Sequence, residues 1–257
     1  MTEVVPIPRQ ARKQSKTGIY HLMIRGINRQ RIFEDNEDCD TFIETIWRSK
    51  EKIGFELYGY CIMGNHVHLL MKEKDSLSLV MQSICSRYVY WYNWKYDRVG
   101  HLFQERYKSE IVETEAYLLT VLRYIHQNPL KAGITSKVGE YRWSSYNEYL
   151  GQQRIIDPDF VLGFFAMEKD EAEKRYIAYM NETNQDVCLD YKERHRITDE
   201  EVIKILEGKY GVKRGGFHAL PRIKVESILR SLKEIEGVSI RQLVRVTGMS
   251  KFIVEKS

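Results

Sequence analysis

The sequence lacks several features that would have settled its class at once. No stretch approaches the roughly 20 consecutive apolar residues that a membrane-spanning helix needs. The basic N-terminal segment MTEVVPIPRQARKQSKTG has no apolar h-region, so it does not read as a secretory signal. The four cysteines, Cys39, Cys61, Cys85 and Cys188, are scattered without CxxC spacing. That argues against a zinc ribbon and gives no sign of a disulfide framework. Internal repeats and low-complexity tracts are missing too. A cytoplasmic protein with no membrane association is the simplest expectation. Charge is nearly balanced, at a formal +4, but unevenly spread. Residues 1–31 hold Arg9, Arg12, Lys13, Lys16, Arg25, Arg29 and Arg31 against the single acid Glu3. Such a block either binds phosphates through counterion release or forms a solvated tail.

What is present is enough for a packed core: 43% of the 257 residues are hydrophobic, in a length that suits one large or two modest domains. IYHLMIR (19–25) is β-prone and ends at Gly26. Apolar positions Phe42, Ile43, Ile46, Trp47 and Ile53 give 37–53 a helical period that ends at Gly54. Residues 55–63 read as a strand, Gly64-Asn65 as a tight hairpin turn, and 66–72 as the returning strand. A helix from Ser76 to about Trp94, a short strand around 106–112 and a helix over 115–128, stopped by Pro129, complete the series. The order β-α-β-β-α-β, then a helix, is the ferredoxin-like split βαβ pattern. The fold class expected is therefore α+β: an antiparallel sheet with packed helices, followed by an all-helical C-terminal region. Residues 1–18 read as a basic tail, 19–151 as one domain and 152–257 as the helical region, the boundary resting on the polar segment GQQRIIDPD. Within that region, Ser239 and Ser250 are good N-caps and Gly248 a good turn residue. Residues 237–257 thus have either a helix-turn-helix layout or that of a structural helical hairpin.

The oddity is GNHVHLLM (64–71), an apolar strand with two imidazoles in it. Side chains alternate faces along a strand, so His66 and His68 share one and Val67 takes the other. Two imidazoles on one face can converge on a metal ion; they can equally be hydrogen-bonded core residues. On the helix at 115–128, Tyr124 and Asn128 stand four residues apart and share a face. A metal held by His66, His68 and the Asn128 amide oxygen would polarise a phosphodiester for attack by the Tyr124 phenol. With 17 tyrosines in the chain, spacing alone leaves core packing open for Tyr124. The aromatic cluster Tyr88, Tyr90, Trp91, Tyr92, Trp94 and Tyr96 is read as core first and base-stacking surface second.

GNHVHLLM, GHLFQERYKS (100–109), YLLTVLRYIHQNPLKAG (117–133) and YRWSSYNEYLG (141–151) occur together in this order. In these motifs, from about Tyr20 to Gly151, the chain resembles the single-tyrosine, insertion-sequence type of HUH transposase, and most closely the REP-associated tyrosine transposases. One departure is Arg142, where relatives often have proline before WSS. The resemblance implies that Tyr124 attacks single-stranded or hairpin DNA, leaving a 5′-phosphotyrosine link and a free 3′-hydroxyl during DNA transposition. It implies Mg²⁺ or Mn²⁺ as cofactor, with His66 and His68 as ligands and Asn128 as the third, Gln127 being the fallback. Arg25, Asn28, Arg29, Lys108, Arg123 and Lys131 become candidate DNA contacts, each with a plain surface charge as its alternative. The resemblance leaves room for a homodimer. Two rival functions stand beside it: a non-catalytic, sequence-specific DNA-binding regulator derived from a transposase, and a metal-dependent hydrolase that uses water.

Overall fold

A computed structural model describes residues 12–152, 154–190, 197–213, 215–235 and 237–257. The chain divides into two compact units, with the break between residues 190 and 191. This is later than the expected boundary at 151, because residues 155–188 contribute to the first core. Ile155, Ile156, Val161, Tyr176, Met180 and Cys188 are all buried within it.

Unit 1 is built on a four-stranded antiparallel sheet of order β2-β3-β1-β4. Its strands are β1 (Ile19–Arg25), β2 (Glu56–Met63), β3 (His66–Lys72) and β4 (Lys108–Ile111). This is the expected ferredoxin-like arrangement. Helix α1 (Asn36–Ile53) follows β1 and starts in a capping box. The Asp35 side chain accepts from the Asp38 backbone N–H while the Asp38 carboxylate accepts from that of Asp35. It ends at Gly54, whose φ of 78° suits glycine. Helix α2 (Leu77–Lys95) has Ser76 as its N-cap, and α1 packs on α2. Along α2 the aromatics divide by face. Tyr88 and Tyr92 are buried, the first against Phe33 and Phe42, while Tyr90 and Trp94 are exposed.

Helix α3 (Glu115–Lys131) does not stop at Pro129 as expected. The missing proline N–H costs only the bond to the Ile125 carbonyl. The turn survives because Ala132 N–H closes onto the Asn128 carbonyl at 2.9 Å. Helix α3 lies across β2 and β3. Gly59 on β2 is what permits this approach: a Cβ there would come 2.5 Å from Leu122 Cδ1. Because Gly59 pairs with Leu70, α3 covers the sheet face that also carries His66 and His68. Val67, Leu69 and Met71, on the other face, are fully buried. Helices α4 (Pro158–Leu162) and α5 (Lys169–Met180) complete the unit, α5 packing on α3.

The expected basic tail lies partly outside the described residues, Arg9 included. Its described end is docked: the Arg12 guanidinium lies 4.0 Å over the Tyr107 ring and donates to the Tyr107 carbonyl at 3.1 Å, and Ser15 N–H donates to the Tyr20 hydroxyl.

Unit 2 has its own core around Val202, Leu206, Phe217, Leu229, Leu232 and Leu243. It contains α6 (Asp199–Tyr210), α7 (Arg222–Lys233), α8 (Ile240–Thr247) and α9 (Lys251–Lys256). Ser239 and Ser250 cap α8 and α9 as the sequence predicts, and Gly248 takes the left-handed conformation between them. Among the described residues no helix is long and apolar enough to cross a membrane.

Candidate active site

The antiparallel register assembles the face under α3. His68 is opposite Met23 on β1 and Cys61 on β2, and His66 is opposite Arg25 and Met63. On β4, Lys108 is opposite Met23 and Glu110 opposite His21. One surface therefore carries His66, His68, His21, Arg25, Lys108 and Glu110.

The rings of His66 and His68 are 5.2 Å apart between centroids, nearly perpendicular. From above, α3 brings the Tyr124 ring within 5.7 Å of His68. Tyr124 is buried, and its hydroxyl donates to Asp190 Oδ2 at 3.0 Å. Burial first, then the Asp190 charge, raises the phenol's pKa well above its ordinary value. The tyrosine is held here as a neutral phenol.

Both histidines are neutral as well. Burial lowers His66 to about 4 and pushes His68 well below the ordinary imidazole range. The Nδ1 of His66 lies 2.6 Å from Asn65 Oδ1, an acceptor, so Nδ1 carries the proton and Nε2 keeps its lone pair. Fully buried His68 has an Nε2 atom with no hydrogen-bond partner among the described residues. A buried orphan nitrogen beside a second imidazole lone pair is a donor set that fits a divalent cation. No group of three or more His, Cys, Asp or Glu side chains is placed to hold a metal among the described residues. A third protein ligand would thus be an amide. Asn128, half-buried one turn beyond Tyr124, uses Nδ2 on the Tyr124 carbonyl at 3.2 Å, which leaves Oδ1.

Gln127, the fallback ligand, is spent elsewhere. Its Nε2 donates to the carbonyls of Met180 and Glu182, and its Oε1 accepts from Asn184 Nδ2. Arg123, a candidate DNA contact, is likewise engaged within the protein. It is buried, with Nη1 2.6 Å from Glu182 and Nε 2.8 Å from Asp186, and its guanidinium lies over the Tyr179 ring. Its partners are the exposed Glu182 and the mostly buried Asp186, both on the segment that follows α5. Lys131 reaches Asn184 Oδ1 at 3.1 Å and sits 5.3 Å from the Tyr124 ring centroid. Asn28 and Arg29 are exposed on the loop after β1, both with positive φ.

Sequence reasoning missed two features. One is the segment 180–190, which runs along α3 and meets Gln127, Arg123, Lys131 and Tyr124. Placing the boundary at 151 detached it from the helix it serves; the signal was Glu182, Asp186 and Asp190 at four-residue intervals. The other is His21, whose Nε2 lies 2.9 Å from His68 Nδ1. Its signal was a histidine inside the apolar strand IYHLMIR.

Residues 14–128 match the family model described as "Transposase IS200 like". That stretch, under half of the chain, is similar to the IS200-like transposases. A solved REP-associated tyrosine transposase bound to a REP hairpin is similar in fold to this chain. It is 16% identical, covers 75% of this chain and 99% of its own, and has a TM-score of 0.52. A putative transposase from Deinococcus radiodurans is 17% identical over 47% of this chain and 97% of its own. Its TM-score of 0.34 is too low to bear on the fold. No curated protein matches the chain.

Proposed function

We propose that this chain is a transposase that cleaves single-stranded or hairpin DNA with Tyr124 as nucleophile. The observation that carries the reading is the convergence of Tyr124, His66 and His68 under α3, with ring centroids 5.2 and 5.7 Å apart along the series. His66 and His68 through Nε2, with Asn128 through Oδ1, would hold the divalent cation, Mg²⁺ or Mn²⁺. Bound there, it supplies Lewis-acid polarisation of a phosphodiester oxygen. Tyr124 supplies the attacking oxygen. Its proton passes to Asp190, the acceptor already 3.0 Å away, as the new O–P bond forms. The bond from phosphorus to the 3′-oxygen breaks, leaving a 5′-phosphotyrosine and a 3′-hydroxyl once that oxygen takes a proton from water. Arg25 and Lys108 share the histidine face and are placed to meet phosphates; Asn28, Arg29 and Lys131 lie around it as further DNA contacts. In unit 2, the α8–turn–α9 layout is proposed as a helix-turn-helix for duplex DNA.

Incubation of wild type and Tyr124→Phe with single-stranded hairpin DNA and Mn²⁺ tests the reading. A covalent adduct on a denaturing gel, absent from the variant, is expected. Cleavage that survives Tyr124→Phe would point to a water-using hydrolase. Binding without cleavage by either protein would point to the DNA-binding regulator.

A further inference from the structure

On β1, His21 stands two residues from Met23, the direct partner of His68. That makes it a diagonal neighbour of His68 on the same face. Both side chains are wholly buried, and the rings meet through His21 Nε2 and His68 Nδ1. On its far side, His21 Nδ1 is 3.8 Å from Glu110 Oε2, an ion-pair distance rather than a hydrogen bond. Glu110 is itself fixed, by the Leu189 backbone N–H at 3.1 Å and by the Tyr117 hydroxyl. The neighbouring His21 ring, foremost, holds the Glu110 carboxyl below its ordinary pKa, so it is a carboxylate.

One proton lies between the two imidazoles, and the surroundings decide which ring owns it. Suppose His21 donated from Nε2. Its Nδ1 lone pair would then face the Glu110 carboxylate, and His68 Nε2–H would be a buried donor without an acceptor. In the opposite tautomers His68 donates from Nδ1 to His21 Nε2, and His21 Nδ1–H points toward the carboxylate. His68 Nε2 is left as a bare lone pair. Each arrangement leaves one buried N–H without a hydrogen bond, but the second sets that N–H 3.8 Å from a carboxylate and the first sets it against no acceptor.

We propose that Glu110 and His21 are positioning residues that hold His68 in its Nδ1–H tautomer and so present Nε2 as a metal ligand. The inference rests on the reading of His66 and His68 as the metal-holding pair. His66 reaches the same state locally, through Asn65. The relay also accounts for an imidazole at a fully buried position of β1, where an aliphatic residue would pack without needing a partner. Outer-shell partners of this kind commonly change metal affinity by about 10–100-fold when removed.

The test is Mn²⁺ binding by the full chain, followed by calorimetry and by electron paramagnetic resonance of free Mn²⁺, with no DNA present. His21→Phe keeps the ring and removes the acceptor; His21→Gln keeps an acceptor. The expectation is that His21→Phe weakens binding by about 10–100-fold, whereas His21→Gln stays close to wild type. In metal-free protein, ¹⁵N chemical shifts should show His68 protonated on Nδ1 in wild type and in His21→Gln, and as mixed tautomers in His21→Phe. A folded His21→Phe that binds Mn²⁺ like wild type, or a wild-type His68 protonated on Nε2, overturns the relay. Should His21→Phe fail to fold, Glu110→Gln at the half-exposed edge strand is read by the same tautomer shifts, and an unchanged His68 overturns the proposal. Failure of the metal reading itself looks different. Wild type would bind no Mn²⁺, or His68→Ala would bind it as well as wild type, while the ¹⁵N shifts would still decide the relay.

Discussion

The Tyr124 hydroxyl donates to the Asp190 carboxylate, 3.0 Å away across 66 residues of sequence. This one contact ties the candidate nucleophile on α3 to the last residue of unit 1 and sets the nucleophile's protonation. Two influences raise the phenol's pKa: burial most, and then the charge on Asp190. Removing the charge should lower it. Asp190→Asn is expected to bring the Tyr124 pKa down toward the ordinary phenol value near 10, without reaching it because burial persists. Titration of ¹³Cζ-labelled tyrosine by NMR reads the shift; an unchanged Tyr124 resonance would show that Asp190 does not govern it.

Tyr124→Phe should remove the covalent DNA adduct completely while costing the fold little. The lost phenol hydrogen bond is worth about 1 kcal/mol. Urea denaturation of unit 1, read beside the adduct gel, separates a chemical role from a structural one.

Arg123→Ala should act on stability and leave the DNA salt dependence alone. The guanidinium bonds Glu182 and Asp186, and its removal leaves the mostly buried Asp186 without its cation. A destabilisation of about 2 kcal/mol is expected from the loss of charged hydrogen bonds. The slope of log affinity against log salt should match wild type, since no phosphate contact is lost. By contrast, Lys108→Ala should lower that slope by about one unit.

Acid should destabilise unit 1 through His126. This ring is buried between Ser145 Oγ at 2.9 Å and the Tyr176 hydroxyl at 3.1 Å, and burial lowers its pKa to about 3. In the unfolded chain it titrates near the ordinary 6.5. The unfolded state therefore binds the extra proton between these values, so stability is full above pH 6.5 and falls as pH drops toward 3. Urea midpoints measured across that range should decline, and His126→Asn should flatten part of the decline.

Leu229→Ala should unfold unit 2 selectively. Leu229 is fully buried in the second core, and truncating such a leucine costs about 2–5 kcal/mol. Two thermal transitions are expected, only the one from unit 2 moving. A single shifted transition would mean that the units unfold together.

Much of this architecture was determined by sequence alone. Period-two alternation put His66 and His68 on one face, and helical spacing put Tyr124 one turn before Asn128, because both depend only on local backbone geometry. The succession of strands and helices along the chain, the helix starts at Ser76, Ser239 and Ser250, and the Gly64-Asn65 hairpin are local in the same sense. Pro129 misled because the helix forgoes a single bond, to the Ile125 carbonyl, and still closes its last turn through Ala132 N–H onto Asn128.

Tertiary structure decided everything that depends on partners distant in sequence. Whether Arg123 and Gln127 face DNA or protein turned on which side of α3 the segment 180–190 runs, and no pattern within α3 encodes that. His21 became a neighbour of His68 through the β1–β3 register, and Glu110 a neighbour of His21 through β1–β4. Periodicity tells a side chain which face it takes. Only packing tells it what it meets there, because charge, burial and hydrogen-bond partners are set by residues many tens of positions away.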